Sequence, residues 1–498
     1  MRSLRTIRRV IWLLCVMTLL APAAAYAENP YWGYIYNDDG DRPSLNGYLY
    51  QGSIDGFGTE IGVFKSPEDL FVAADDTIYV VDSGNNRVIH MDIEGKVFGV
   101  YGDKEGKGSL NAPKGVFVTK EGDVYVADTQ NRRVALFDGS GRFKKEFGVP
   151  GSPLLGKDFV YSPSKLIVDK RGYLFVSSDG SSLGLMQIRP DGTFGGFFGA
   201  NHVPFSWTRV LVKLIATKEQ REQLASARPP EFSNLFQDSE GFIYTTSLGI
   251  PKNQVKRLSA VGVDTLNTGK STRYGDLFMA QQDFEPLSDA MVDVTVNSTG
   301  LITALDQTNG ELYQYDKLGN LLFIFGGIGE QNGLFKTPSS VAETSDGTIL
   351  VTDRTRGRID LFYPTPFADK VHEASQLYVD GKYEDSMKPW QDALRMNSNY
   401  DLAYTAIGKA LYRQHEYKEA MDYFKITRKR SDYSNALAEY RKVVFREHFG
   451  LIATSVIVLF IAFQLLLRYF RKRRKAAKVR LAAAAAIAGK GEGISGNL

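Results

Sequence analysis

Six times between residues 67 and 353 the chain repeats one phrase: a strand-like run, a turn, and a second strand-like run that stops at Asp or Ser. Pro67–Val72 leads to Ile78–Asp82, residues 113–118 lead to Val124–Asp128, and Pro163 leads to Leu174–Ser178. Phe242-Ile243-Tyr244 leads to Ser247, Leu301-Ile302 to Asp306, and Pro338 to Ile349–Asp353. The terminal residues Asp82, Asp128, Ser178, Ser247, Asp306 and Asp353 are 46, 50, 69, 59 and 47 positions apart. Gly122, Gly172, Gly241, Gly300 and Gly347 lie six positions before five of them, and Asp76 takes that place in the first. Short strands recurring every ~40–50 residues mark a propeller, because one such sheet leaves a face to bury against its neighbours. The expected fold is mainly β, a six-bladed β-propeller over residues 28–363.

Two repeats carry a sharper pattern. Asp82-Ser83-Gly84-Asn85-Asn86-Arg87-Val88 and Asp128-Thr129-Gln130-Asn131-Arg132-Arg133-Val134 both read D-[ST]-x-N-x-R-V. An Asp or Ser side chain accepts backbone N–H groups in the turn it leads into. Asn tolerates a left-handed backbone, and Arg pairs with nearby carboxylate or carbonyl oxygens. These segments resemble NHL repeats, of the gluconolactonase-like superfamily of six-bladed propellers. The last repeat keeps Asp353, Arg358 and Ile359, the fifth keeps Asp306 and Asn309, and the third and fourth have Ser at the pivot. Asp82, Arg87, Asp128 and Arg133 are read as blade-turn residues first and ligand contacts second.

A ring must close, and the last repeat runs straight into Pro364-Thr365-Pro366 with no room for an outer strand. Two strand-like pieces near the N-terminus, residues 31–36 and 47–51, are available, and one of them is expected to complete the final blade. The long spacings mark insertions. One, at about 206–228, holds Val210, Leu211, Leu214, Ile215 and Leu224 at helical spacing and is expected to form an amphipathic helix. A smaller one lies around 267–285.

Two apolar segments set the expected location. Arg2, Arg5, Arg8 and Arg9, the apolar run 10–20 and Ala25-Tyr26-Ala27 before Glu28 read as a signal peptide over 1–27. Residues 451–467 are uncharged and precede Arg468 and the basic run 471–475, the pattern of a transmembrane helix at 450–470 with its basic side in the cytoplasm. The propeller then lies extracytoplasmic at the cell membrane and 471–498 is a basic cytoplasmic tail. The N-terminus contributes +4 and residues 468–498 contribute +8 to a whole-chain charge of +3, leaving −9 for 28–467. An acidic body of that kind excludes nucleic acid as the partner, since phosphate binding needs a basic surface. The single cysteine, Cys15, lies in the signal region, so the mature chain has no disulfide framework.

From Pro366 the period becomes helical. Ala374, Leu377, Tyr383 and Trp390 recur 34 residues later as Gly408, Leu411, Tyr417 and Phe424. That period and residue pattern resemble tetratricopeptide (TPR) repeats, and a TPR-like module is expected over 367–449, ending in a helix from Tyr433 to His448.

No nucleophile elbow or phosphate-binding loop occurs. The superfamily resemblance implies enzymes as well as binding modules: gluconolactonase and paraoxonase-like propellers hold a divalent cation at the axis with Glu, Asn and Asp, and peptidyl-amidating lyases use His ligands for zinc. Only His90 and His202 lie in the propeller here, too few for a tri-histidine site. Calcium is the one cofactor the composition leaves open. No catalytic, cofactor-binding or metal residue is assigned. The reading is an extracytoplasmic, membrane-anchored binding or scaffold protein of a bacterial surface, whose partner is an envelope protein, a transporter or secretion complex, or a glycan. One alternative is a Ca-dependent lactonase- or esterase-like hydrolase, which requires carboxylates and amides clustered at the axial channel. Another is an extracellular sensor.

Overall fold

The computed structural model describes residues 29–37, 40–156, 159–201, 229–248, 253–266 and 290–491. The signal peptide, His202 and the two insertions lie outside the described residues.

Six antiparallel sheets form the bulk of the chain. Blade 1 comprises Pro67–Val72, Ile78–Asp82, Arg87–Met91 and Val97–Tyr101, and blade 2 comprises Gly115–Val118, Val124–Asp128, Arg133–Phe137 and Phe143–Phe147. Blade 3 comprises Pro163–Val168, Leu174–Ser178, Leu185–Ile188 and Phe194–Phe198, and blade 4 comprises Phe232–Gln237, Ile243–Ser247 and Val255–Leu258. Blade 5 comprises Met291–Val296, Ile302–Asp306, Glu311–Tyr315 and Leu321–Gly326, and blade 6 comprises Pro338–Glu343, Ile349–Asp353 and Arg358–Pro364. The first strands of successive blades touch in order around a complete circuit, blade 6 meeting blade 1. They therefore surround the axis.

The repeated glycines explain the hairpins. Gly122 and Gly172 sit at φ +83° and +80°, each donating its N–H to the carbonyl three residues back, Thr119 and Asp169. A side chain is strained at that φ. Asp76 adopts it at +62° in blade 1, one of the few non-glycine types that tolerate it.

The six pivots end the six second strands, and all are buried. The Asp128 carboxylate accepts from Asn111 N–H at 2.8 Å, Asn131 Nδ2 at 2.8 Å and Arg133 Nε at 2.7 Å. Asp82 repeats the arrangement with Lys65 N–H, Asn85 and Arg87 at 2.7–2.8 Å. Each Asp pivot thus pins the loop arriving from the previous blade to the turn it precedes.

The ring closes through the N-terminus. Tyr48–Ile54 pairs antiparallel with Arg358–Pro364 and becomes the fourth strand of blade 6. The earlier piece does something else: Gly33–Asn37 and Gly40–Ser44 form a hairpin that extends blade 5 to six strands.

Apolar side chains fill the spaces between blades. Blades 1 and 2 share Tyr79, Val81, Val88, Val116, Val126 and Phe137; blades 6 and 1 share Leu350, Ile359, Leu70, Val80 and Ile89. Between blades 5 and 6 the filling is aromatic, with Tyr48 stacked on Phe325 at 4.7 Å and Phe325, Phe335 and Tyr31 around Phe362. Each such side chain contributes about 1.5–3 kcal/mol on burial. Side-chain donors stitch the same junctions: Thr129, Ser177, Ser233, Gln307 and Ser339 each donate to the carbonyl of the first residue of the next blade, at 2.7–3.2 Å. With the apolar mass placed between blades, the axis is left for polar groups.

Two compact units divide at residues 406 and 407. The first contains the propeller together with helices α1 (Pro366–Val379) and α2 (Tyr383–Met396). Thr365 caps α1 by accepting from Ala368 N–H, and Pro366 occupies its first turn, where no N–H is missed. α1 is keyed to blade 5: His372 Nε2 lies 2.6 Å from Gln314 Oε1, and Ser375 donates to Asp316 at 3.0 Å. Gln314 in turn donates to Tyr48 Oη of the closing strand at 2.8 Å. Tyr400 Oη donates to Leu322 O at 2.9 Å. Burial pushes His372 down to about 4, so the imidazole is neutral.

Helix α3 (Asp401–Arg413) spans the division, and the second unit continues with α4 (Tyr417–Ile426), α5 (Arg430–Glu447) and α6 (Phe449–Gly491). Within it Gly408 packs on Phe424: a Cβ there would lie 2.8 Å from the ring. α6 is long and apolar enough, by length and composition, to cross a membrane, and it runs on through the basic cluster as one helix.

Candidate axial site

Five of the six innermost strands start with a bulge. In blades 1, 3, 4, 5 and 6 the register slips between the first and third residues, as between Pro67 and Asp69. A bulge re-aims the side chains beside it. The third residues are Asp69, Lys165, Asn234, Asp293 and Ser340, and Gly115, which opens the first strand of blade 2, holds the equivalent place there; the five with side chains are buried.

They form one polar layer across the axis. Lys165 Nζ pairs with Asp69 Oδ1 and donates to Glu68 O at 3.2 Å. Asp69 Oδ2 accepts Val116 N–H at 2.9 Å. Asp293 accepts from Asn234 Nδ2, from Val294 N–H and Val341 N–H at 2.7 Å, and from Ser340 Oγ at 2.6 Å. Ser340 Oγ itself accepts Leu70 N–H at 3.2 Å. Burial pushes Asp293 up to about 7, against the downward pull of Lys165.

Blade 2 contributes by absence. A Cβ on Gly115 would lie 2.4 Å from Ser164 O and 3.1 Å from Lys165 Cα. Only glycine lets blade 3 come this close, and Lys165 passes that point to reach blade 1.

Above this layer lies a cavity of about 540 Å³ lined by all six blades. Its charged groups occur as contacts. Arg354 Nη2 donates to Glu68 Oε2 at 2.6 Å, Lys114 Nζ to Asp179 Oδ2 at 2.7 Å, and Gly180 N–H to Glu231 Oε2 at 2.8 Å. Of the axial layer, Lys165 is the member that lines the cavity. Ser247 accepts from Asn201 Nδ2, which also donates to Pro230 O at 2.8 Å, so the chain on either side of residues 202–228 is tied together at this mouth. A second depression, of about 650 Å³, lies beside Asn85, Asn86, Arg87 and the loop 102–110.

Asp82, Arg87, Asp128 and Arg133 sit in turns, occupied with one another and with backbone, and none lines the axial cavity. Arg87 does border the second depression. His90, on the third strand of blade 1, stacks on Tyr79 at 4.1 Å and lies 2.8 Å from Thr77 Oγ1; burial lowers its pKa. The axial residues were not singled out in sequence. Their signal is a polar residue two positions after Pro67, Pro163 and Pro338, at the start of runs that go on as buried strands.

Asp69, Asn234 and Asp293 are the carboxylates and amide that an axial cation would require. Calcium takes six to eight oxygens. Here the Lys165 ammonium stands on Asp69, and Asp293 already receives four donors. This set fits an ammonium ion in the cation's place and does not fit an added divalent metal. Among the described residues no cluster of three His, Cys, Asp or Glu side chains is arranged to hold one.

No family model matches the chain, and no curated protein matches it. Solved structures do align with it. Virginiamycin B lyase from Staphylococcus aureus aligns at 12% identity over 67% of this chain and 94% of its own, with a TM-score of 0.38. A putative gluconolactonase aligns at 15% identity over 61% and 89%, with a TM-score of 0.38. A Bacteroides thetaiotaomicron protein of unknown function aligns at 13% identity over 67% and 82%, with a TM-score of 0.42. At these identities and TM-scores the alignments carry no argument about chemistry, and the fold is read from the strand order itself. The fold is a six-bladed β-propeller followed by a helical region with one long apolar helix.

Proposed function

We propose that the chain is an extracytoplasmic, membrane-anchored binding platform of the NHL type, held by α6 and linked to it through TPR-like helices. One observation carries the reading: the six blades converge on an open axial mouth whose floor, the Lys165–Asp69 pair, is already neutralised. A rigid rim of paired charges selects a partner by complementarity. The Asp-Asn-Arg turns around Asp82 and Asp128 support the NHL-type reading, and the 34-residue recurrence from Ala374 to Gly408 supports the TPR-like one. The basic run after residue 467 supports a cytoplasmic C-terminus. Crosslinking from the mouth, with a photoreactive residue at position 248 of the membrane-embedded chain, tests the reading. A specific envelope partner is expected; labelling of lipid or of nothing counts against it.

A second reading has one observation in its favour, the axial trio Asp69, Asn234 and Asp293. A metal-dependent hydrolase requires that the ion displace Lys165. Turnover of lactones or esters by the purified chain on addition of calcium, abolished by Asp293→Asn, would establish it over the first.

A further inference from the structure

We propose that the axial mouth takes an uncharged, hydroxyl-rich ligand, a short saccharide; the proposal rests on the platform reading and names its ligand. Among the described residues Lys114, Lys165 and Arg354 line the cavity with Glu68, Asp179 and Glu231; each cation has a carboxylate of its own, Asp69 serving Lys165 from beneath, and Glu231 is held by the Gly180 N–H. The signs are not separated. An anion entering here must compete with a carboxylate already in place for every one of these cations, and gains little from doing so. A zwitterion needs its two poles received apart, and here opposite charges are in contact.

A hydroxyl meets no such obstacle. It donates and accepts at once, so it bridges an ammonium or guanidinium N–H and the neighbouring carboxylate lone pair while both charges stay paired. Vicinal hydroxyls match two such pairs set around one rim. Saccharides also present apolar C–H faces, and one wall of the mouth offers Pro229, Pro230 and the part-exposed Leu248. A cavity of about 540 Å³ lies in the range of small-ligand sites.

The experiment is calorimetric titration of the full-length chain in detergent micelles with cellotetraose, mannotetraose and chitotetraose, and in parallel with tetragalacturonate and a zwitterionic tetrapeptide. At least one neutral tetrasaccharide is expected to bind, with less than about twofold change in Kd between low salt and roughly 0.5 M NaCl, since the ligand is uncharged. Leu248→Lys, a change at a part-exposed position that leaves folding intact, and Glu68→Gln combined with Arg354→Gln are each expected to weaken it by roughly tenfold or more. Binding of tetragalacturonate or the peptide alone, binding that salt abolishes, or binding that both variants leave unaltered overturns the proposal. If no neutral tetrasaccharide binds while a protein partner is crosslinked at position 248, the saccharide falls and the platform stands; if neither is found, both fall.

Discussion

Lys165 of blade 3 forms its ion pair with Asp69 of blade 1, crossing the glycine that blade 2 places between them. Two charges taken out of water are tolerated because each is the other's counterion and backbone groups complete the set. The pair ties blades that are not neighbours in sequence.

Lys165→Met leaves Asp69 buried without its cation. A loss of about 3–5 kcal/mol is expected, as for breaking other buried pairs from one side. Adding Asp69→Asn should recover much of it. Urea midpoints of the two singles and the double provide the coupling. In the Lys165→Met chain, with the axial cation gone, millimolar calcium should raise the melting temperature, whereas it should leave the parent unchanged.

Gly115→Ala places a methyl 2.4 Å from Ser164 O. Overpacking of this kind costs about 1–3 kcal/mol. The loss should be additive with a distant change such as Tyr400→Phe but not with Lys165→Met, because the first forces apart the strands that the second needs close.

Stability should fall as pH rises from about 5 to about 8. Burial raises Asp293 and Glu343 to about 7 and Asp360 to about 6. Between the ordinary carboxylate range and those values the folded chain holds protons the unfolded chain has released, so each group's contribution is lost on going up in pH, by roughly 1.4 kcal/mol per unit. His372 acts in the opposite sense: held down to about 4 by burial, it stays neutral while the unfolded chain binds a proton below about 6.5, and its contribution is lost on going down. Burial also raises Asp316 and lowers His90, so four carboxylates stand against two imidazoles. Melting temperatures at pH 5, 6.5 and 8 should decline in that order, and His372→Gln should steepen the decline. A flat or rising series contradicts the assignment.

Asp128→Ala removes three accepted bonds, leaving Arg133 with Glu146 and two backbone carbonyls, whereas Ser178→Ala removes one. Expected losses are about 3 kcal/mol and about 1 kcal/mol. Equal losses would mean that the pivots do not act through these bonds.

The pivots and hairpin glycines were legible in the sequence because a turn restricts residue type locally: Asp or Ser to accept N–H groups, Gly or Asp to take positive φ. The axial layer was not. Asp69, Asn234 and Asp293 are each one polar residue among others in three strands up to 224 positions apart, and they acquire a common meaning only when the strands are superposed around the axis. The closing strand was foreseen as one of two N-terminal pieces, and Tyr48–Ile54 is that strand. The other piece was not placed, because the edge of blade 5 that receives Gly33–Asn37 looks like any outer strand in sequence. Likewise, α1 advertises its helical period but not its seat; His372 and Ser375 read as surface polar residues until Gln314 and Asp316 are found beneath them.

Ile54 pairs with Ile359, so the last sheet joins the two ends of the propeller, some three hundred residues apart in the chain. Loop closure over such a length is a late event in folding. No portion of the propeller short of the whole can make it. A chain that is truncated, stalled or nicked keeps an open ring with two exposed sheet edges, the kind of surface that aggregates or is degraded. The closing strand pair of blade 6 is therefore a completion test: only a propeller made from first strand to last presents a finished mouth.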